Sequence, residues 1–192
     1  MNFIKTSFLS GLSTAISLIA RLISTKIVAV LLGTNGMFLM GQLKDFLRLG
    51  NTISSFGIEN GIIKYTSEFE KNEKDLSKII GSSFKINFFS AIIFSFIVVI
   101  SKNYISDFLK INFDQNFYFL VLVISIVSAS IHTCLLSIYN GLKKINLYVL
   151  VNIFSNIAAA ILLIILVTKM NIIGAFYALA LNQIIALLIN II

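Results

Sequence analysis

The sequence has no proline, one cysteine, one histidine and only 8 acidic residues in 192 positions. Without proline, a sharp bend in any helix falls to glycine and hydroxyl residues. The single Cys134 excludes an internal disulfide and a cysteine-based metal cluster. His132 lies two positions away, on the opposing side of a helix, and reads as a packed or hydrogen-bonded polar residue rather than a ligand. Neither a linker rich in proline, glycine or serine nor a repeat of fixed period divides the chain. Charge is scarce as well, at 12% of residues against 58% hydrophobic, with a mean hydropathy of +0.97. Soluble domains are about half apolar and a quarter charged, so a water-soluble core is excluded and lipid is the solvent.

Crossing the hydrocarbon of a bilayer takes about 20 apolar residues at 1.5 Å each. Six runs meet that length: Thr6–Leu32, Met37–Ile63, Ile79–Ser101, Phe117–Leu142, Leu147–Thr168 and Ile172–Ile192. Polar breaks separate them: "GTNG" (33–36), "SEFEKNEKDLSK" (67–78), "KNYISDFLKINFDQN" (102–116), "KK" (143–144) and "TKMN" (168–171). Membrane β-strands would alternate apolar and polar over about ten residues, and these runs are longer and more uniform. The expected fold is all-α and polytopic, one transmembrane domain over 1–192. The first run is interrupted by Ser7, Ser10, Gly11 and Ser13 and outlasts any cleavage point, which argues against a signal peptide. Within the second run, "LGNTISSFG" (49–57) is the expected bend. The mixed charges of 67–78 read as a solvated or interfacial helix turn.

Orientation follows the lysines. With a cytoplasmic N-terminus, the inner segments hold Lys5, Lys64, Lys71, Lys74, Lys78, Lys143 and Lys144, and the outer ones Lys102, Lys110 and Lys169. The positive-inside rule therefore puts the N-terminus inside, and six spans return the chain to the cytoplasm. A net charge of +7 would point to nucleic acid in a soluble protein. Here it reflects topology bias and charges within helices, and no nucleic-acid partner is expected.

Charges deep in a span cost about 2.5–3.5 kcal/mol each on insertion scales and tend to face a bundle interior or a water cavity. Nearly all of them lie in the first two runs: Arg21 and Lys26, then Lys44, Asp45 and Arg48. Counted from the "GTNG" turn, Lys26 and Lys44 lie about 10–12 Å down, and Arg21 and Arg48 about 18 Å down. Lys44 and Arg48 are four apart and share a face. Antiparallel neighbours would then present two tiers of cations, with Asp45 as a counter-charge. Snorkelling accounts for Lys26 and Lys44 but not for the arginines. One acid cannot neutralise four bases, so the reading is a water-accessible cationic cavity for an anion, and arginine forks suit phosphate.

The stretches "KTSFLSGLSTAISLIARLISTKIVAVLLGTNGM", "FGIENGIIKYTSEFEKNEKDLSKIIGSS" and "IYNGLKKINLYVLVNIFSN" resemble the O-antigen flippases. These are the Wzx-type polysaccharide transporters, in one superfamily with the MATE drug exporters. The most specific parts are "G-I-x-N-G-I-x-K-Y" at Gly57–Tyr65 and the basic Lys26. The resemblance implies a multi-pass protein of the bacterial inner membrane that serves lipopolysaccharide synthesis. It would move an undecaprenyl-pyrophosphate-linked oligosaccharide outward by alternating access, driven by a proton or sodium gradient, without catalysis, cofactor or metal. Lys26 and Lys44 sit where the family tends to carry bases, while Arg21 and Arg48 join them by helix geometry alone. The pyrophosphate would meet these four cations as the polyprenyl tail stays in lipid, and Asp45, Glu59 and Lys64 are the candidates for ion coupling or gating.

Family members have about twelve spans in two lobes, so the resemblance covers the N-terminal six-helix lobe. The second lobe, absent here, or a second copy of the chain becomes an expected partner. A fragment or truncated reading frame, without function alone, is one reading, and a half-transporter that pairs is another. Two further classes compete. A MATE-type exporter of organic cations wants acids in its cavity, and bases dominate here. An intramembrane enzyme acting on polyprenyl phosphates needs paired carboxylates or a general base, and the acids of 67–78 alternate with lysines instead.

Overall fold

A computed structural model describes the backbone of residues 3–111 and 115–191, with side chains from 11 to 111 and from 116 to 191. Lys5, Ile192 and residues 112–114 of the third polar break lie outside the fully described residues. The chain is helical throughout: α1 (Phe3–Ser54), α2 (Glu59–Glu68), α3 (Glu73–Ile100), α4 (Lys102–Phe108), α5 (Gln115–Gly141) and α6 (Ile145–Ile191). Four of these, Gly11–Ser54 within α1 and then α3, α5 and α6, are long and apolar enough to cross a membrane.

Two of the four are longer than one crossing needs. At 1.5 Å per residue, the 44 described residues of α1 and the 47 of α6 would each run about 65–70 Å if straight, against about 30 Å of hydrocarbon. Each is bent once, α1 at Gly33 (φ 63°, ψ −165°) and α6 at Asn171 (φ 51°, ψ −131°). Both bends fall in polar breaks that interrupt the apolar runs. The Gly33 backbone is of a kind open essentially to glycine. Beyond each bend the chain folds back on itself. Thr25 and Val28 line one small cavity with Met37, Met40, Gly41 and Lys44, and Leu163 and Val167 share an apolar cluster with Ala175 and Ala178. A glycine three residues past each bend makes room for the return: a Cβ on Gly36 would overlap the Leu32 side chain, and one on Gly174 the Leu166 carbonyl.

The bend expected at 49–57 is a full break. Helix α1 stops at Ser54, Phe56 (φ 49°) and Gly57 (φ 63°) turn the backbone, and α2 starts at Glu59. The second run therefore does not continue as one helix to Ile63. Breaking a helix frees carbonyls that lipid cannot satisfy. Hydroxyls from two neighbouring helices reach the break: Ser130 Oγ donates to Ser54 O at 3.4 Å, and Ser90 Oγ to Ile53 O at 3.4 Å, which also accepts from the Phe56 amide at 3.1 Å.

The charged stretch 67–78 is mostly helix, because α2 runs to Glu68 and α3 begins at Glu73, six residues before the expected start of its apolar run. Asn72 Oδ1 caps α3 by accepting from the Asp75 amide at 3.3 Å, and Glu73 and Asp75 place negative charge at its positive end. Lys143 pairs with Glu70 at 3.5 Å, which sets the α2–α3 and α5–α6 connections at one end of the molecule. The 102–116 break contains the short helix α4.

Three apolar clusters hold the helices together. One joins α1, α3, α5 and α6 through Leu43, Val98, Leu122, Tyr118 and Phe176, with the Tyr118 and Phe176 rings edge-on at 5.7 Å. A second joins the two bent helices through Val28, Met40, Leu163, Val167, Ala175 and Ala178. The third seats α2 on α5 through Ile62, Cys134 and Ile138. Outside these, large apolar side chains face outward, Phe89 and Phe96 on α3 at 63% and 67% exposure among them. Water would not tolerate such a surface over whole helices, and lipid does.

Candidate anion-binding cavity

The bent helices α1 and α6 pack side by side and line an open-sided cavity of about 440 Å³. The near half of α1 contributes Arg21, Ser24 and Thr25, and its far half Lys44. From α6 come Asn156, Ala159, Ala160 and Leu163 before the bend, and Ala178, Leu179 and Asn182 after it. Small residues on α6 keep the space open. The fold-back at Gly33 is what brings Lys44, 23 positions later in the chain, to the cavity wall that holds Arg21.

Two like charges thus act on each other in this cavity. Among the described residues, carboxylate pairs form at Lys78–Asp75 and Lys143–Glu70, and neither Arg21 nor Lys44 has a carboxylate within 4 Å. The remaining wall is neutral, so the cavity has an unbalanced positive charge. Asn182 adds a buried Oδ1 with no partner among the described residues.

The other predicted cations stand elsewhere. Lys26 and Arg48 do not line this cavity, nor does the acidic Asp45, although all three are exposed just as Arg21 and Lys44 are. The fold-back at Gly33 leaves Arg21 twelve residues before the bend and Lys44 eleven after it, which levels these two instead of the expected pairs Lys26 with Lys44 and Arg21 with Arg48. A helix turns 100° per residue, so Lys26 lies about 140° around the axis from Arg21 and points away from it. Arg48 is about 40° past Lys44 on the following turn. The structure brings together Arg21 and Lys44, one cation from each expected tier. Glu59 is the first residue of α2, where its charge complements the helix end, and Lys64 lies over the Tyr65 ring at 5.5 Å. Neither reaches the cavity.

A second cavity of about 360 Å³ adjoins the first, with Arg21 and Asn156 in both walls. Sequence reasoning passed over its α6 side, where Tyr148, Asn152 and Asn156 recur every fourth residue in an otherwise apolar run. That spacing is a polar stripe on one helix face and was the available signal. Gln42 and Asn51 are further amides within α1 whose buried side-chain oxygens lack partners among the described residues.

His132 behaves as its setting in an apolar run predicts. Its Nδ1 lies 3.1 Å from Asn190 Nδ2, and the same amide also donates to the His132 carbonyl at 3.4 Å. Cys134 is buried in the α2–α5 cluster on another side of the helix. Among the described residues, no three His, Cys, Asp or Glu side chains come together in a metal-binding group.

These features define a polytopic α-helical membrane protein with a basic cavity between bent helices. Over part of its length the chain is similar to flippases. The lipid III flippases of Escherichia coli (strain K12) and Shigella flexneri are each 28% identical to it over 83 residues. The matched stretch is 43% of this chain and 20% of each relative. No family model and no solved structure matches the chain.

Proposed function

We propose that this chain is the six-span N-terminal lobe of a lipid-linked oligosaccharide flippase of the bacterial inner membrane. In this reading the bends at Gly33 and Asn171 each divide a long helix into two spans, and α3 and α5 supply the other two, with the broken α1–α2 segment closing the second span. The observation that carries it is the pairing of Arg21 and Lys44 in one cavity with no acid within reach among the described residues. Two bases in one cavity without an acid partner call for an anion, and a pyrophosphate offers each base a phosphate. The similarity to lipid III flippases supports a lipid-linked substrate.

An undecaprenyl-pyrophosphate-linked repeat unit of O-antigen or a related polysaccharide is the substrate proposed, with Arg21 and Lys44 on the pyrophosphate. Lys26, on another face of α1, and Arg48, one turn beyond Lys44, do not line this cavity and serve a second surface, such as one offered by the other lobe or by a second copy. Asp45, Glu59 and Lys64 remain the candidates for coupling to a proton or sodium gradient. An exporter of organic cations fits poorly, since its cavity would carry acids where this one carries bases.

The test is complementation by the full gene in a strain without its own flippase. Arg21→Ala with Lys44→Ala abolishes surface polysaccharide while the protein still accumulates in the membrane fraction. Normal display by that double variant would remove the reading.

A further inference from the structure

Beside the basic cavity lies one of different chemistry. Its walls are Ser13 and Ser17 from α1 and Tyr148, Asn152 and Asn156 from α6, with Arg21 where it meets the first. Apart from Arg21, every polar group there is a hydroxyl or an amide. From Arg21 to Ser13 it follows α1 for eight residues, about 12 Å along the axis.

The two asparagines are held in place. Asn152 Nδ2 donates to Tyr148 O at 2.8 Å and Asn156 Nδ2 to Asn152 O at 2.7 Å, both within α6. With one N–H of each amide tied to the backbone one turn back, each Oδ1 is left as an acceptor, beside a second N–H donor, at a fixed position one turn from the next. Paired acceptors at that spacing, faced by serine hydroxyls that both donate and accept, suit a ligand rich in hydroxyl groups. A charged ligand would find no counter-charge here beyond Arg21. An apolar one would leave these groups unpaired, at a cost.

We infer that this second cavity is a saccharide subsite: Asn152 and Asn156, with Ser17 and Tyr148, bind the uncharged sugar next to the phosphate held by Arg21 and Lys44. The inference rests on the proposed flippase reading, because that reading puts the phosphate at Arg21. It adds that discrimination among glycans starts at these side chains, whereas the bases bind any lipid pyrophosphate.

Two ligands separate the two claims. Binding to the purified full chain in lipid nanodiscs is measured for a polyprenyl pyrophosphate without sugar and for the same lipid carrying one N-acetylhexosamine. Asn152→Ala with Asn156→Ala is expected to weaken the sugar-bearing lipid about tenfold and leave the bare lipid unchanged. Arg21→Ala weakens both. The asparagine bonds go to carbonyls within the same helix, so their loss leaves the helix ladder intact. Should the pair nevertheless lower the thermal midpoint, Ser17→Ala and Tyr148→Phe must show the same selective loss. An asparagine pair that affects neither lipid, or both equally, overturns the subsite, and the flippase reading survives if Arg21→Ala still weakens both. Failure of the wild type to bind either lipid, or indifference to Arg21→Ala, overturns both.

Discussion

The Ser130 hydroxyl of α5 lies 3.4 Å from the Ser54 carbonyl, the last residue of α1 before its helix breaks. It also lies 3.2 Å from both oxygens of Asn87 on α3, so one buried side chain meets two other helices where the backbone is least satisfied. Ser130 and Ser54 are both wholly buried, and water cannot substitute. Ser130→Ala is expected to cost about 1–3 kcal/mol, the usual penalty for a buried acceptor left without its donor. Thermal unfolding in detergent measures it, and an unchanged midpoint would show that the Ser54 carbonyl finds another partner.

Gly141, the last residue of α5, is a site of close approach. A Cβ there would run into Thr66 Oγ1 of α2 and come within 2.8 Å of the Ile63 carbonyl. Gly141→Ala therefore separates α2 from α5 and lowers stability by about 1–3 kcal/mol. Adding Thr66→Ala restores part of the loss by removing one of the two obstacles. Equal loss in the single and double variants would place the whole conflict at the Ile63 carbonyl.

Arg21 and Lys26 differ in face, and so in expected effect. If the proposed flippase reading holds, Lys26→Ala leaves polyprenyl-pyrophosphate binding at the α1–α6 cavity unchanged, while Arg21→Ala weakens it at least about tenfold, the range for loss of a charge-assisted contact. Lys44→Glu reverses the sign of one partner and turns repulsion into attraction. The fold is then expected to gain up to about 1 kcal/mol as anion binding disappears. Binding of a polyprenyl pyrophosphate, measured beside thermal unfolding, separates the two effects.

At the α6 bend, Asn171 holds a positive φ of 51° that glycine adopts without strain. Asn171→Gly is expected to raise stability by about 0.5–1 kcal/mol, and Asn171→Val to lower it by more than that. A β-branched residue that left the midpoint unchanged would mean that the bend moves to a neighbouring position.

The elements most legible in the sequence are those set by neighbouring residues. The apolar runs and the turn chemistry of Gly33, Asn171 and the Phe56–Gly57 pair all depend on a few consecutive positions. Hydropathy also marked His132 as a packed residue, and its bond to Asn190 agrees. The cavity was half legible. Depth along a helix can be counted from a turn, but a count from the whole "GTNG" break sets Lys44 a tier above Arg21, whereas the bend at Gly33 leaves the two level. Their exclusion of Lys26 was within reach, since five residues turn a helix through about 140°. The asparagines were harder to see. Their four-residue spacing is visible, but nothing local says that this face of α6 meets Arg21.

By itself, the sequence determined the solvent and the breaks: too many apolar residues and too few charges for water, and turns where glycine or asparagine allows a positive φ. Tertiary structure alone decided which charges meet. Arg21 and Asn156 stand 135 positions apart in the chain, and they share a wall because α1 and α6 fold back on themselves and pack against each other. Hydropathy is a sum over neighbours, whereas the wall of a cavity depends on the rotation of two distant helices about their own axes. A single sequence records that rotation only as a phase, without saying what stands opposite.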